Sequence, residues 1–108
     1  MSRIRTIKPE FWRRNGEVWD LGCSLYVVQE DDSYIKVGIS EHPIRRLSTL
    51  QCGNSRKLHL RAVFCGDRPA CRDMEKCVSK YFKDNLVRGE WLTARLSDVV
   101  TFIGVGAT

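Results

Sequence analysis

The residues from Tyr34 to Arg46, with the sequence YIKVGISEHPIRR, combine side chains that could bind a phosphate. A β-type run breaks at Gly38, which has no Cβ and therefore leaves room for backbone or ligand to approach closely. Arg45 and Arg46 follow soon after, and guanidinium groups bind anionic oxygens through paired hydrogen bonds. The stretch therefore predicts an anion site. The alternative is a strand, a turn and an amphipathic helix whose arginines are simply solvated.

Glu75 is a second candidate because of its position on a predicted helix. At about 100° per residue it lies at the edge of the apolar stripe, beside Cys71, Val78 and Phe82. A carboxylate held there by the core could face a cleft and bind a metal ion. Such a glutamate can equally be a solvated surface residue. His59, on the more polar face of a predicted strand, is expected at the surface.

Alternating hydrophobicity predicts the strands that position these residues. The predicted strands are Ser24–Gln29, Tyr34–Ile39 and Leu58–Cys65. The first two are expected to form an antiparallel hairpin across a polar turn at residues 30–33. Residues 86–92 are predicted to form a turn or a short strand.

Helical periodicity predicts three helices around these strands. The first covers Pro43–Gln51, and the second follows the cap residue Asp67 and runs to about Asp84. The last is capped by Ser97 and ended by Gly104. The predicted fold class is α+β, a small sheet with helices packed against it.

Composition and charge limit the class of protein. With 108 residues, 43% of them hydrophobic, the chain is long enough for one modest core. No apolar run approaches the roughly 20 residues of a membrane span, and the first residues do not read as a secretory signal. We therefore expect a cytoplasmic protein without membrane contact.

The net charge of +5 is concentrated in an N-terminal arm, residues 1–22, which precedes a predicted domain at 23–108. Within residues 1–14, Glu10 is the single acidic residue and five are basic. These candidate DNA contacts are Arg3, Arg5, Lys8, Arg13 and Arg14. Basic arms often bind nucleic acid, although such an arm can also be solvated or dock on a protein partner.

The five cysteines include no closely spaced pair of the kind that binds zinc. We therefore expect reduced thiols rather than disulfides or a zinc site. They are Cys23, Cys52, Cys65, Cys71 and Cys77.

An ordered set of short motifs resembles the GIY-YIG nuclease superfamily. More narrowly, it is similar to a compact branch found in phage and bacterial reading frames, whose members read roughly YV…KIGIS..P..RL..LQ.GN…E…F…GEWF. The matching text here is LYVV, IKVGIS, PIRRL, TLQCGN, DMEKCVSKYF and GEWL. The resemblance runs from about Ser24 to Ile103, and the order and spacing of the pieces carry it.

The resemblance implies a three-stranded antiparallel sheet flanked by helices, and a DNA phosphodiesterase that uses one Mg²⁺ or Mn²⁺ ion. Tyr26 matches the tyrosine that activates or positions the attacking water. Gly38 matches the glycine that lets substrate approach the sheet. Arg46 matches the arginine that stabilises the scissile phosphate, and Glu75 matches the acid that holds the metal ion.

Three positions depart from the motif pattern. Ser24 stands in place of the first motif's glycine and Lys36 in place of the second motif's tyrosine, while Ser79 replaces a frequent histidine. Lys36 could contact phosphate as a point charge. Tyr34, on the same strand face, could substitute for the missing tyrosine.

These observations predict a divalent-metal-dependent DNA endonuclease of phage or prophage origin. The alternative is a non-catalytic phage protein that uses the same fold and arm to bind DNA or a host protein and to regulate or inhibit it. Retention of Tyr26, Arg46 and Glu75 favours the enzyme. Lys36 and Ser79 favour the alternative.

Overall fold

The computed structural model describes residues 4–7, 23–31, 34–89 and 91–106, and these form an α+β fold. The strands are β1 (Ile4–Ile7), β2 (Cys23–Glu30), β3 (Tyr34–Ser40), β4 (Leu58–Gly66), β5 (Leu86–Arg88) and β6 (Trp91–Leu92). The helices are α1 (Pro43–Cys52), α2 (Arg68–Tyr81) and α3 (Leu96–Gly106), with a 3₁₀ turn at Lys83–Asn85. The α+β class is confirmed.

The described strands form one antiparallel sheet in the order β1-β4-β2-β3-β6-β5. The expected three-stranded sheet is therefore wrong. Its three strands are present at the centre as β4, β2 and β3, and both edges are extended. β1 comes from the predicted arm, and Ile4 is buried where it pairs with Gly66 of β4. β5 and β6 come from residues 86–92, which turn back at Gly89 with a φ of 58°.

The predicted hairpin, the first helix and the third strand are confirmed to within one or two residues at each end. Asp67 caps α2 as predicted, because its Oδ1 accepts a hydrogen bond from the Ala70 N–H at 2.8 Å. α2 ends at Tyr81, earlier than the expected Asp84, and the chain then continues as the 3₁₀ turn.

The predicted limits of the last helix are wrong. α3 begins at Leu96, so Ser97 lies inside it rather than capping it, and it continues past Gly104 to Gly106. A glycine inside a helix costs about 1 kcal/mol. Burial of Val99 and Ile103 on one face of α3 stabilises the helix by more than that.

The two faces of the sheet are covered by different helices. Along β2, Cys23, Leu25 and Val27 pack with α2 and α3, whereas Tyr26 and Val28 pack with α1. This follows from the alternation of side chains along a strand. α1 and α2 therefore lie on opposite faces, and this decides where the candidate site residues lie.

All five cysteines are free thiols in the structure. Cys23, Cys65 and Cys71 are buried, while Cys52 and Cys77 are exposed. Burial, together with the neighbouring Cys23 thiol, raises the pKa of Cys71 to about 12. Because the thiolate is the reactive form, Cys71 is a packing residue rather than a nucleophile.

Most of the predicted arm, including Arg3, Lys8, Arg13 and Arg14, lies outside the described residues, and Arg5 is described only as part of the backbone of β1. No helix in the described part of the chain is long and apolar enough to cross a bilayer.

The role of the arm could be tested by deletion or by substitution. Because β1 pairs with β4, deleting residues 1–14 would also remove a strand. Substitution of the arm's basic residues is therefore the better test of its role.

Candidate functional site

Tyr26 and Gly38 face each other across β2 and β3. A Cβ added to Gly38 would lie 2.5 Å from Cζ of Tyr26 and closer still to its hydroxyl oxygen. Real side chains do not tolerate such an approach. The tyrosine ring thus fills the space that a side chain at position 38 would occupy. The sequence had suggested that backbone or a ligand would approach Gly38 there.

Tyr26 is only 2% exposed. Within the described part of the chain, every fully enclosed side-chain nitrogen or oxygen has a hydrogen-bond partner. The Tyr26 hydroxyl has none there, so the small exposed area of the residue includes this group. The ring is held by packing, and its polar end keeps a small exposed area at which water or a phosphate oxygen could bind.

Lys36 lies on the same face of the sheet as Tyr26. It pairs with Val28 on β2, which makes it a diagonal neighbour of Tyr26, and with Trp91 on β6. Its Nζ lies 5.8 Å from the centre of the Trp91 ring, within cation–π range. The side chain is buried to 8% exposure. Lys36 therefore places a positive charge on the same face of the sheet as Tyr26.

Tyr34 is not close to this group. It pairs with Glu30 at the opposite end of the hairpin, four residues from Gly38. At about 3.3 Å per residue, that separation is about 13 Å along the strand. Tyr34 shares the face, as predicted, but it does not share the position of the Tyr26 hydroxyl.

The two arginines of α1 differ in how they face the sheet. Pro43, Leu47 and Leu50 form the packed side of the helix. At about 100° per residue, Arg46 lies beside that packed side, whereas Arg45 points almost directly away from it. Both are exposed. Arg46 is thus the arginine better placed to reach a substrate bound against the sheet.

Glu75 lies on α2 and so on the other face of the sheet from Tyr26. It is half-buried and lines a cavity of about 410 Å³. The cavity is bounded by Val37, Glu75, Lys76, Val78, Ser79, Lys80, Leu86 and Leu92. Tyr26, Lys36 and Arg46 do not line this cavity. The fold thus separates the predicted metal ligand from the other predicted catalytic residues by the thickness of the sheet.

Both groups border the same segment of β3. β6 pairs only with Ile35 and Lys36, so within the described residues no strand pairs with the other edge of β3, the edge away from β2, from Val37 to Ser40. Tyr26 crosses Gly38 on one face of this segment, and on the other face the adjacent Val37 lines the same cavity as Glu75. A substrate strand lying along this open edge could contact both faces.

The residues at Glu75 fit a divalent ion only if most of its ligands come from elsewhere. The described residues contain no group of three His, Cys, Asp or Glu side chains arranged to hold a metal. Mg²⁺ retains several waters and is often bound by one carboxylate plus substrate phosphate. The charged neighbours Lys76 and Lys80 would favour a phosphate beside Glu75. The donor set thus fits an ion that binds together with substrate.

Comparison of the chain with protein-family models, with curated proteins and with solved structures gives no significant match. The GIY-YIG resemblance stays a prediction.

A buried carboxylate missed in the sequence analysis lies at the far end of β2. Glu30, assigned there to a polar turn, is a strand residue with 2% exposure. Asn54 Nδ2 donates a hydrogen bond to its Oε2 at 3.0 Å, and Arg56 Nε lies 3.7 Å from its Oε1. Because buried carboxylates require such partners, the Gly53-Asn54 motif after α1 has a structural role.

Replacement of Asn54 by alanine should destabilise the fold by about 1–3 kcal/mol, because it removes a hydrogen bond from a buried charge. Urea unfolding followed by circular dichroism measures this change. Ser55→Ala, in the same loop, is a control expected within about 0.5 kcal/mol of the unsubstituted protein. Equal stability of the two variants would contradict the assigned role.

Proposed function

We propose that the chain is a divalent-metal-dependent DNA endonuclease with a GIY-YIG-type site at the open edge of β3. One observation carries the proposal: the Tyr26 ring packs on Gly38, and its hydroxyl keeps a small exposed area on the face of the sheet that also carries Lys36. A tyrosine needed only for packing would gain nothing from a polar end at this position. The arrangement also explains why the strand has a glycine there.

The site residues can be given distinct roles in phosphodiester hydrolysis. The Tyr26 hydroxyl would orient the attacking water by a hydrogen bond. Arg46 would bind the non-bridging oxygens of the scissile phosphate and stabilise the charge that develops on them. Lys36, held beside Trp91, would add a fixed positive charge at the same phosphate.

Glu75 would hold the Mg²⁺ or Mn²⁺ ion through its carboxylate. Such an ion, when bound, polarises the phosphate and stabilises the leaving oxygen. Lys76 and Lys80 line the same cavity and would draw the phosphate backbone toward Glu75. A nuclease of this kind would act on DNA in the cytoplasm of a bacterial host, consistent with the phage-like sequence pattern.

One observation favours the rival function, a non-catalytic DNA- or protein-binding module. Glu75 packs on the face opposite Tyr26, and Ser79 lines its cavity in place of a histidine. In the rival, Glu75 holds no ion and the basic residues bind DNA or a host protein without cleaving DNA.

Nicking of supercoiled plasmid in Mg²⁺ or Mn²⁺ separates the two functions. We expect the unsubstituted protein to nick plasmid and EDTA to abolish the nicking. Arg46→Ala should lower the nicking rate by at least about a hundredfold, the usual effect of removing one hydrogen-bond donor that stabilises a transition state. Arg72→Ala removes an exposed arginine from α2 and should nick at the unsubstituted rate. DNA binding without nicking, under all metal conditions, would establish the rival and overturn the nuclease.

A further inference from the structure

Residues 42–66 contain five arginine and lysine residues and no aspartate or glutamate. The chain beyond the arm is nearly neutral overall, because acidic residues outside this segment balance its positive charge. The basic residues are Arg45, Arg46, Arg56, Lys57 and Arg61. Acid-free basic segments are typical of surfaces that contact polyanions.

The fold places four of these five residues on α1 or in the loop between α1 and β4. Arg45, Arg46, Arg56 and Lys57 are all exposed, and the Arg56 side chain is 58% exposed. Arg61 is set apart, because its Nε donates a hydrogen bond to Gln29 Oε1 at 2.9 Å. Arg45 and Arg46 lie on α1, on the side of Tyr26 and Lys36, Arg56 contacts Glu30 at the end of β2, and Lys57 is the next residue of the same loop.

The loop is held in place by side chains that bind its backbone. Gln51 Nε2 donates to the Arg56 carbonyl at 2.8 Å, and Gln51 Oε1 accepts from the Leu58 N–H at 2.8 Å. Asn54 Oδ1 accepts from the Arg56 N–H at 3.0 Å while its amide binds Glu30. A loop ordered in this way loses little conformational entropy when it binds a partner.

Three described carboxylates lie near this surface, and one of them, Asp31, is exposed with its Oδ1 3.8 Å from His59 Nε2. The other two are paired with basic residues. Glu30 is buried against Asn54 and Arg56. Glu41, just before α1, lies 3.4 Å from Arg68. The opposite face differs, because α2 carries both acidic and basic residues. On α1 and the loop after it, by contrast, the exposed charges of residues 42–57 are all positive.

We propose that α1 and the α1–β4 loop form a track for the phosphate backbone of DNA, with Arg45 and Arg46 at one end and Arg56 and Lys57 at the other. The choice of DNA rests on the proposed function. From Arg46 to the loop at the end of α1 is on the order of 10 Å, or about three nucleotides at ~3.4 Å each. The track thus extends the site beyond the scissile phosphate and fixes the register of the strand.

An anionic membrane is the other polyanion that such charges could bind. Membrane-surface helices combine basic residues with large apolar side chains that enter the lipid. The large hydrophobic residues that are exposed in the described chain are Tyr81, Leu86 and Val87, none of them on α1 or its loop. The track therefore fits a nucleic acid better than a lipid surface.

The track is tested by the salt dependence of DNA binding in EDTA, where no cleavage occurs. Binding of the full chain to a short labelled duplex is followed by fluorescence anisotropy over a range of salt concentrations. Each phosphate contact contributes about 0.9 to the slope of log K against log salt. Arg56→Ala/Lys57→Ala should lower the slope by about 1–2. Arg72→Ala/Lys83→Ala removes the same charge from α2 and the 3₁₀ turn that follows it, and should leave the slope unchanged.

Lys57→Glu is a second variant that preserves the Arg56–Glu30 pair, and hence the loop, while reversing one charge of the track. It should weaken binding at low salt, with the urea midpoint unchanged. Equal slopes for the track and control variants, or tighter binding to anionic phospholipid vesicles than to DNA, would overturn the track. If the slope depends on Arg56 and Lys57 but plasmid is never nicked, the track stands and the nuclease proposal fails.

Discussion

Glu75→Gln should lower plasmid nicking by at least about a thousandfold while leaving DNA affinity in EDTA unchanged. The substitution keeps the size of the side chain and removes the charge that would hold the metal ion. Metal ions contribute several kcal/mol to the stabilisation of a phosphoryl transition state, and a thousandfold corresponds to about 4 kcal/mol. The loss of nicking activity should therefore exceed the loss caused by removing any exposed charged side chain from α2.

Asp73→Asn is the matched control for Glu75→Gln, because Asp73 is an exposed acid two residues earlier on α2. It should nick at the unsubstituted rate. A second measurement is independent of catalysis: Mn²⁺ binding in the presence of a short DNA duplex, followed by electron paramagnetic resonance. Glu75→Gln should lose this binding and Asp73→Asn should retain it. Unchanged nicking by Glu75→Gln would show that the metal ligand lies elsewhere.

The central elements were predictable because their signals are local. Apolar and polar residues alternate along β4, and Leu47 and Leu50 of α1 recur at helical spacing. Each pattern therefore predicts which side chains are buried. β1 lacked such a signal, because four residues in a basic segment give too short a pattern. Its strand is formed by tertiary pairing with β4, with Ile4 buried against the core.

The candidate site was only partly predictable, and the missing information concerns which face each helix covers. Periodicity identified Glu75 as a boundary residue of its helix, and the structure places it half-buried. Periodicity cannot show whether α2 packs on the side of Tyr26 or on the opposite side. In an antiparallel sheet a helix can cross to either face, and packing of the complete core determines which face it covers. Glu30 was missed because its partners, Asn54 and Arg56, lie over twenty residues away in sequence.

The acid-free segment was readable from the sequence, but its meaning depended on the fold. Counting charges over the whole chain beyond the arm balances this basic segment against acidic residues elsewhere. Only the placement of α1 and its loop on the Tyr26 side makes Arg56 and Lys57 candidates for DNA contact. The same placement leaves out Arg61, which is bound to Gln29.

The effect of Gly38→Ala on stability should change sign when Tyr26 is removed. In the unsubstituted protein the new methyl group would overlap the Tyr26 ring, so the substitution should destabilise the fold by about 1–3 kcal/mol, as overpacking does. In the Tyr26→Ala background the ring is absent. There Gly38→Ala should stabilise the strand by about 0.5–1 kcal/mol, the usual advantage of alanine over glycine.

Urea unfolding of the four proteins in this double-mutant cycle measures the coupling between the two positions. Tyr26→Ala alone should cost about 3–5 kcal/mol, as for other large buried aromatic residues. Gly53→Ala is the control, because Gly53 has a φ of −95° and its nearest neighbour to an added Cβ is 3.9 Å away. It should change stability by less than about 0.5 kcal/mol in either background. Additive effects of Gly38→Ala and Tyr26→Ala would mean that Tyr26 does not pack on Gly38, and the proposed site would lose the contact that positions its hydroxyl.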